Sequence, residues 1–166
     1  VVTVMLKPTA VIIANLDACQ SQIIQFESAS LGNIATTNWN LGDGNSETLP
    51  TFDHSYPLEG SYQVILAVTT DEGCADTTAH NISVHPNPNA IFSLLNVCLL
   101  DEANFMDQST VNSGSITTWN WDFGDSNSAT TQNAQHGYAT EGTYAVELVV
   151  GTDFGCLDSV TKYIIV

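Results

Sequence analysis

Trp121-Asp122-Phe123-Gly124-Asp125-Ser126 repeats, at a distance of 82 positions, the earlier stretch Trp39-Asn40-Leu41-Gly42-Asp43-Gly44. The same offset carries His54 to His136, Tyr56 to Tyr138, Gly60-Ser61-Tyr62 to Gly142-Thr143-Tyr144, and Gly73-Cys74 to Gly155-Cys156. Upstream the offset falls to 79, pairing Cys19 with Cys98 and Phe26 with Phe105. A three-residue insertion near 111–115 in the second copy accounts for the difference. Self-similarity of this kind marks tandem modules, and it divides the chain into 1–85 and 86–166. Val2-Thr3-Val4 before Lys7-Pro8 parallels Ile82-Ser83-Val84 before Asn87-Pro88. Residues 1–5 are therefore expected to be the tail strand of a preceding copy, and the chain a two-repeat piece of a longer array. Pro86 and Pro88 favour a short, extended linker.

Within each copy the apolar residues alternate. Tyr62, Val64, Leu66 and Val68 share one parity, and Tyr144, Val146, Leu148 and Val150 repeat it. Period two predicts half-buried strands. Gly42-Asp43-Gly44, Pro57-Leu58-Glu59-Gly60 and Asp71-Glu72-Gly73 supply the turns. No segment carries a helical apolar stripe. The expected fold is all-β: two tandem sandwiches of about seven short strands each. In modules this small each aromatic matters, so Phe26, Trp39, Tyr62, Phe105, Trp121 and Tyr144 are the expected core. Trp119 shares a face with Trp121, and only one of the two is expected to be central.

Charge excludes several functions. Eighteen acidic residues stand against two basic ones, Lys7 and Lys162, for a net charge of −16. Nucleic acid is excluded as a partner, because phosphate neutralisation needs a Lys/Arg surface. Anionic membrane surfaces are disfavoured for the same reason, and no apolar run is long enough for membrane insertion.

The order W-D-F-G-D, H-x-Y and G-x-Y-x-V-x-L closely resembles the PKD (polycystic kidney disease) domain. It runs through Trp121–Asp125, His136-Gly137-Tyr138 and Gly142–Leu148 in one copy, and through Trp39–Asp43, His54–Tyr56 and Gly60–Leu66 in the other. Asn40, Leu41 and Ser126 depart from the family pattern. The resemblance implies immunoglobulin-like sandwiches with strands A, B and E in one sheet and C, C′, F and G in the other. It implies that Trp39, Gly42, Asp43, His54, Tyr56, Gly60, Tyr62 and their counterparts Trp121, Gly124, Asp125, His136, Tyr138, Gly142, Tyr144 serve folding, the histidines as strand-corner hydrogen-bonding groups. His80 and His85 lack counterparts and are expected at the surface. Acidic, Asn/Thr-rich, cysteine-bearing arrays of this sort resemble the surface proteins of Bacteroidetes, including gliding-motility adhesins.

Four cysteines at matching positions point to disulfides and an extracellular location. Pairing within each copy, Cys19–Cys74 and Cys98–Cys156, keeps each module self-contained and closes loops of about 55 residues, worth about 4 kcal/mol. The topology implied by the resemblance instead puts Cys19 and Cys74 at opposite ends of a sandwich and favours a staggered Cys19–Cys156 pair, with Cys74 and Cys98 bonding neighbouring repeats. Both pairings stand at this point. No C-x₂₋₄-C pairs suggest zinc. Calcium has weak candidates in Asp43, Asp71, Glu72, Asp125 and Asp153; no cofactor is otherwise implied. Trp119 is the candidate for an exposed, sugar-stacking ring. The expected function is non-enzymatic: a structural spacer of an extracellular adhesin or filament, whose expected partners are neighbouring repeats, with a glycan or surface as a further candidate. The alternative is an auxiliary substrate- or glycan-binding module of a secreted hydrolase.

Overall fold

The computed structural model describes residues 6–166; the expectation for residues 1–5 lies outside them. The chain separates into two compact units at His85/Pro86. Domain 1 contains β1 (Ile12–Ile13), β2 (Asp17–Cys19), β3 (Ile24–Ser28), β4 (Ile34–Asn40), β5 (Ser46–Glu47), β6 (Thr51–His54), β7 (Gly60–Thr70) and β8 (Ala75–His85). Domain 2 contains β9 (Phe92–Ser93), β10 (Glu102–Asp107), β11 (Ile116–Asp122), β12 (Ser128–Ala129), β13 (Ala134–Gly137), β14 (Thr143–Thr152) and β15 (Leu157–Ile165).

The sheets are β1-β3-β6 with β2-β8-β7-β4-β5, and β9-β10-β13 with β12-β11-β14-β15. These are the A-B-E and C′-C-F-G sheets of an immunoglobulin-like sandwich. β2 is an addition: it pairs in parallel with the end of β8, setting Cys19 opposite His85. The connection between β10 and β11, residues 108–115, is three residues longer than that between β3 and β4, residues 29–33. This is the insertion that shifts the repeat offset.

Alternation places one parity of each long strand inside. Val64, Leu66 and Val68 of β7 are fully buried, as are Val146, Leu148 and Val150 of β14. They share a buried cluster with Phe26 or Phe105 from the facing sheet and with Trp39 or Trp121 from the adjacent strand. A Leu- or Val-sized side chain buried this way contributes about 1.5–3 kcal/mol. Two expected core residues are displaced: Tyr62 and Tyr144 are only half-buried, and the buried tyrosines are Tyr56 and Tyr138. The reason is position. Tyr62 and Tyr144 sit at the start of β7 and β14, and their hydroxyls reach back to the carbonyls of Leu58 and Thr140 in the preceding turns.

Candidate functional site

The recurring motif builds the same corner in both domains. Asn40 and Asp122 end the strand by accepting the amides of Gly42 and Gly124. Each glycine has positive φ, and a Cβ on it would lie under 3 Å from the backbone of β7 or β14; the close strand approach therefore requires glycine. Asp43 Oδ1 then accepts the Asn45 amide at 3.0 Å, and Asp125 Oδ1 the Asn127 amide at 3.1 Å. The second carboxylate oxygen takes the imidazole Nε2–H of His54 at 2.8 Å or His136 at 2.7 Å. Partial burial pushes both carboxyls up, but the bonds from the asparagines and histidines outweigh it and hold them below the usual value.

The tyrosines close the corner. Tyr56 Oη donates to the Leu41 carbonyl at 2.9 Å, and Tyr138 Oη to the Phe123 carbonyl at 3.1 Å. Each ring stacks on the next tyrosine, Tyr56 on Tyr62 and Tyr138 on Tyr144, with centroids 4.1 and 4.2 Å apart. Gly60 and Gly142 lead into the strands that carry those second rings. The Trp39 indole donates to the Leu49 carbonyl, and Trp121 to Thr131. Every polar side chain of the motif thus has a partner inside its own domain. Among the described residues, no buried side-chain nitrogen or oxygen lacks one.

The calcium candidates separate. Asp43 and Asp125 are engaged as above. Asp153 receives the Ser115 amide and so pins the inserted loop, while Asp71 and Glu72 are exposed in the β7–β8 turn. Among the described residues, no three His, Cys, Asp or Glu side chains gather as a metal site would require. Trp119 is half-buried rather than exposed, and its Nε1–H donates to Asp107 Oδ2 at 2.8 Å. His85 is not a free surface residue either. Its Nε2 lies 3.0 Å from Asp17 Oδ1, across the β2–β8 pairing that the sequence did not announce.

Cys74 and Cys98 are free thiols, whereas Cys19 and Cys156 are in the disulfide form. Neither bridge within a copy is therefore formed, and strand length gives the reason. Cys19 faces His85 at one end of β8, while Cys74 precedes Ala75 at the other. Eleven strand residues separate their levels by about 30 Å, far beyond the ~7 Å Cα limit of a disulfide. In domain 2 the Ile165 amide binds Asn96, which places Cys98 near the end of β15 remote from Cys156. The long F–G hairpin, not the five-residue strand β3, sets this distance.

The cysteine settings are twins. Thr70 and Thr152 exchange the same turn bonds with Cys74 and Cys156. The carbonyls of Cys19 and Cys98 accept the amides of Gln22 and Asp101 through turns with Ser21 and Leu100 at positive φ.

Sequence reading missed two staples. Asp76 Oδ2 accepts the Ala10 amide at 2.9 Å, and Asp158 Oδ2 accepts the Ala90 amide at 2.8 Å, tying the first strand of each domain to its last. Asp76 also pairs with Lys7 at 2.7 Å. The repeat of Asp76 at Asp158, with alanine eighty positions apart, was the available signal.

Comparison with known families closes the point: the PKD domain model matches residues 6–85 and again 83–166. The chain belongs to the PKD domain family. Over 64 residues, 39% of this chain, it is 42% identical to the pre-pro-metalloprotease PrtV of Vibrio cholerae, a stretch that is only 7% of that protein. The crystal structure of the PrtV PKD1 domain is 31% identical, covers 48% of this chain and 96% of its own, and gives a TM-score of 0.45. Fibronectin(III)-like modules of Clostridium thermocellum CbhA cover 95% of this chain and 94% of their own, with 13% identity and a TM-score of 0.51. That last likeness is one of fold. PKD pairs are all-β, and among the described residues no helix is long and apolar enough to cross a membrane.

Proposed function

We propose that this PKD pair is a non-enzymatic extracellular structural module, a spacer within a repetitive cell-surface adhesin or filament protein. The observation that carries the reading is the state of the cysteines. The cysteines form two pairs of twin turn settings, and one member of each pair holds disulfide sulfur, Cys19 and Cys156, while their twins Cys98 and Cys74 are free. In this reading Cys19 pairs with Cys156, and Cys98 and Cys74 serve the corresponding bonds to the next and previous modules. Neighbouring repeats of the same chain are then the principal partners. Disulfide chemistry of this kind belongs to an oxidising compartment outside the cytoplasm. Stacked modules that contact only their neighbours extend a distal domain without taking part in chemistry, and the motif side chains here are all committed to their own folds. The acidic, Asn/Thr-rich composition supports an adhesin of the Bacteroidetes gliding type.

Peptide mapping of the purified chain under non-reducing conditions tests this. The expected product links a peptide bearing Cys19 to one bearing Cys156; a peptide joining Cys19 to Cys74 would end the proposal. A second reading rests on the 42% identity to PrtV: an auxiliary module of a secreted hydrolase that touches a polysaccharide or protein substrate. Glycan-array binding by the isolated pair would favour that reading over the spacer.

A further inference from the structure

The two domains part company at one inner-face position. Thr37 in β4 stands where Trp119 stands in β11, 82 residues on. In domain 2 the half-buried indole packs against the core from this position. Its N–H binds Asp107, whose carboxylate also takes the Ser109 amide and the Gln132 side-chain amide. The counterparts of those three residues in domain 1 are Ser28, Ser30 and Pro50. There they line an open groove of about 670 Å3, together with Thr37 and Thr48.

What lines and flanks the groove says what it takes. Ser28 Oγ and Ser30 Oγ lie 2.8 Å apart, and Ser28 holds the place of the carboxylate that accepts the Trp119 N–H. A hydroxyl oxygen has two acceptor sites, so Ser28 can accept a ring N–H while bonded to Ser30. The Thr37 hydroxyl is turned to the Thr48 carbonyl, leaving its methyl for the groove. The flanks are apolar in this domain alone. Leu31 and Leu49, adjacent to lining residues and 66% and 54% exposed, correspond to Thr110 and Thr131 in domain 2. Pro50 likewise replaces Gln132. Leucines thus flank the open version and threonines the plugged one, while the groove itself is lined mainly by serine, threonine and asparagine.

We propose that this groove binds a tryptophan side chain presented by a partner polypeptide, seated as Trp119 seats itself in domain 2. An indole offers a large apolar face and a single donor, the combination this setting accommodates. The binding goes beyond the spacer role and is independent of how the cysteines pair.

The test is NMR titration of the isotope-labelled, oxidised 166-residue chain with N-acetyl-tryptophanamide. Saturable shifts at the amides of Ser28, Ser30, Thr37 and Thr48 are expected. N-acetyl-leucinamide and glucose at equal concentration are expected to produce shifts several-fold smaller. Thr37→Trp fills the groove from within and is expected to weaken binding at least tenfold. A Leu31→Thr/Leu49→Thr variant, altered only at exposed positions, gives the domain 1 rim the residues of domain 2 and is expected to weaken binding severalfold. The proposal is overturned by no saturable response, by an equal response to the leucine amide or to glucose, or by unchanged affinity in the rim variant.

Discussion

Asp125 Oδ2 lies 2.7 Å from His136 Nε2, eleven residues away in the chain, while its other oxygen holds the Asn127 amide. One carboxylate thereby locks the turn after β11 to the end of β13, and so joins the two sheets of the sandwich. Asp43 does the same in domain 1 with Asn45 and His54. The geometry requires the ionised form, which accepts on both oxygens.

Stability therefore falls on the acid side. Both carboxyls titrate below the ordinary 3.8 in the fold, so the unfolded chain binds protons first. Their contribution is complete above about pH 4 and is lost as pH drops through the folded value. Asp125→Asn is expected to cost about 1–2 kcal/mol at neutral pH and to flatten the acid limb of thermal unfolding followed against pH.

An alkaline limb is expected from the buried tyrosines. Burial, and then the nearby Asp125 charge, push the Tyr138 hydroxyl up from 10.0 to about 12, and Tyr56 is raised by its own burial and the Asp43 charge. The fold keeps a proton that the unfolded chain gives up, so stability is full below pH 10 and declines as pH rises toward 12. Tyr138→Phe leaves the Phe123 carbonyl without its donor, costs about 1–2 kcal/mol at pH 7, and reduces this decline. Absorbance titration of tyrosinate alongside urea unfolding reads both effects.

Two neighbouring turn positions respond in opposite senses. A Cβ at Gly124 would lie 2.6 Å from the Ala145 carbonyl oxygen, at φ +78°. Gly124→Ala is expected to lose about 2–3 kcal/mol. Ser126 holds φ +74° with a side chain attached, where domain 1 has Gly44. Ser126→Gly relieves that conformation and is expected to gain about 0.5 kcal/mol net of the glycine's added freedom when unfolded. Chemical denaturation of the two variants decides the signs.

Asp158→Ala removes the acceptor of the Ala90 amide. The expected loss is about 1–2 kcal/mol, with hydrogen exchange at Ala90 accelerating well beyond that of neighbouring core amides in β14. An unchanged Ala90 rate would mean that this segment is held by the β9–β10 pairing and the Asn89–Thr110 bridge without the carboxylate.

The sandwich was legible because strand burial depends on parity, and parity is visible in Val64-x-Leu66-x-Val68 without any knowledge of partners. The turn glycines were legible for a similar reason: backbone demand is local. Depth was less so. Tyr62 and Tyr56 are the same residue type six positions apart, and only the corner geometry decides which ring is covered. Contacts across the sandwich, such as Asp76 to Ala10 or Asp43 to His54, leave no trace in local pattern. The duplication was the one clue to them, since a residue kept twice is held by the same partner twice. The difference between Thr37 and Trp119 escaped for the converse reason, as it appears only where the two copies disagree.

The two lysines carry a last consequence. Proteases that cut after basic residues find just two such bonds in the chain. One is Lys7-Pro8, whose imino ring blocks the scissile position. The other follows Lys162, within β15 and with its amine drawn onto the Phe92 carbonyl. A protein assembled from such units would pass through trypsin-rich surroundings undigested while it stays folded.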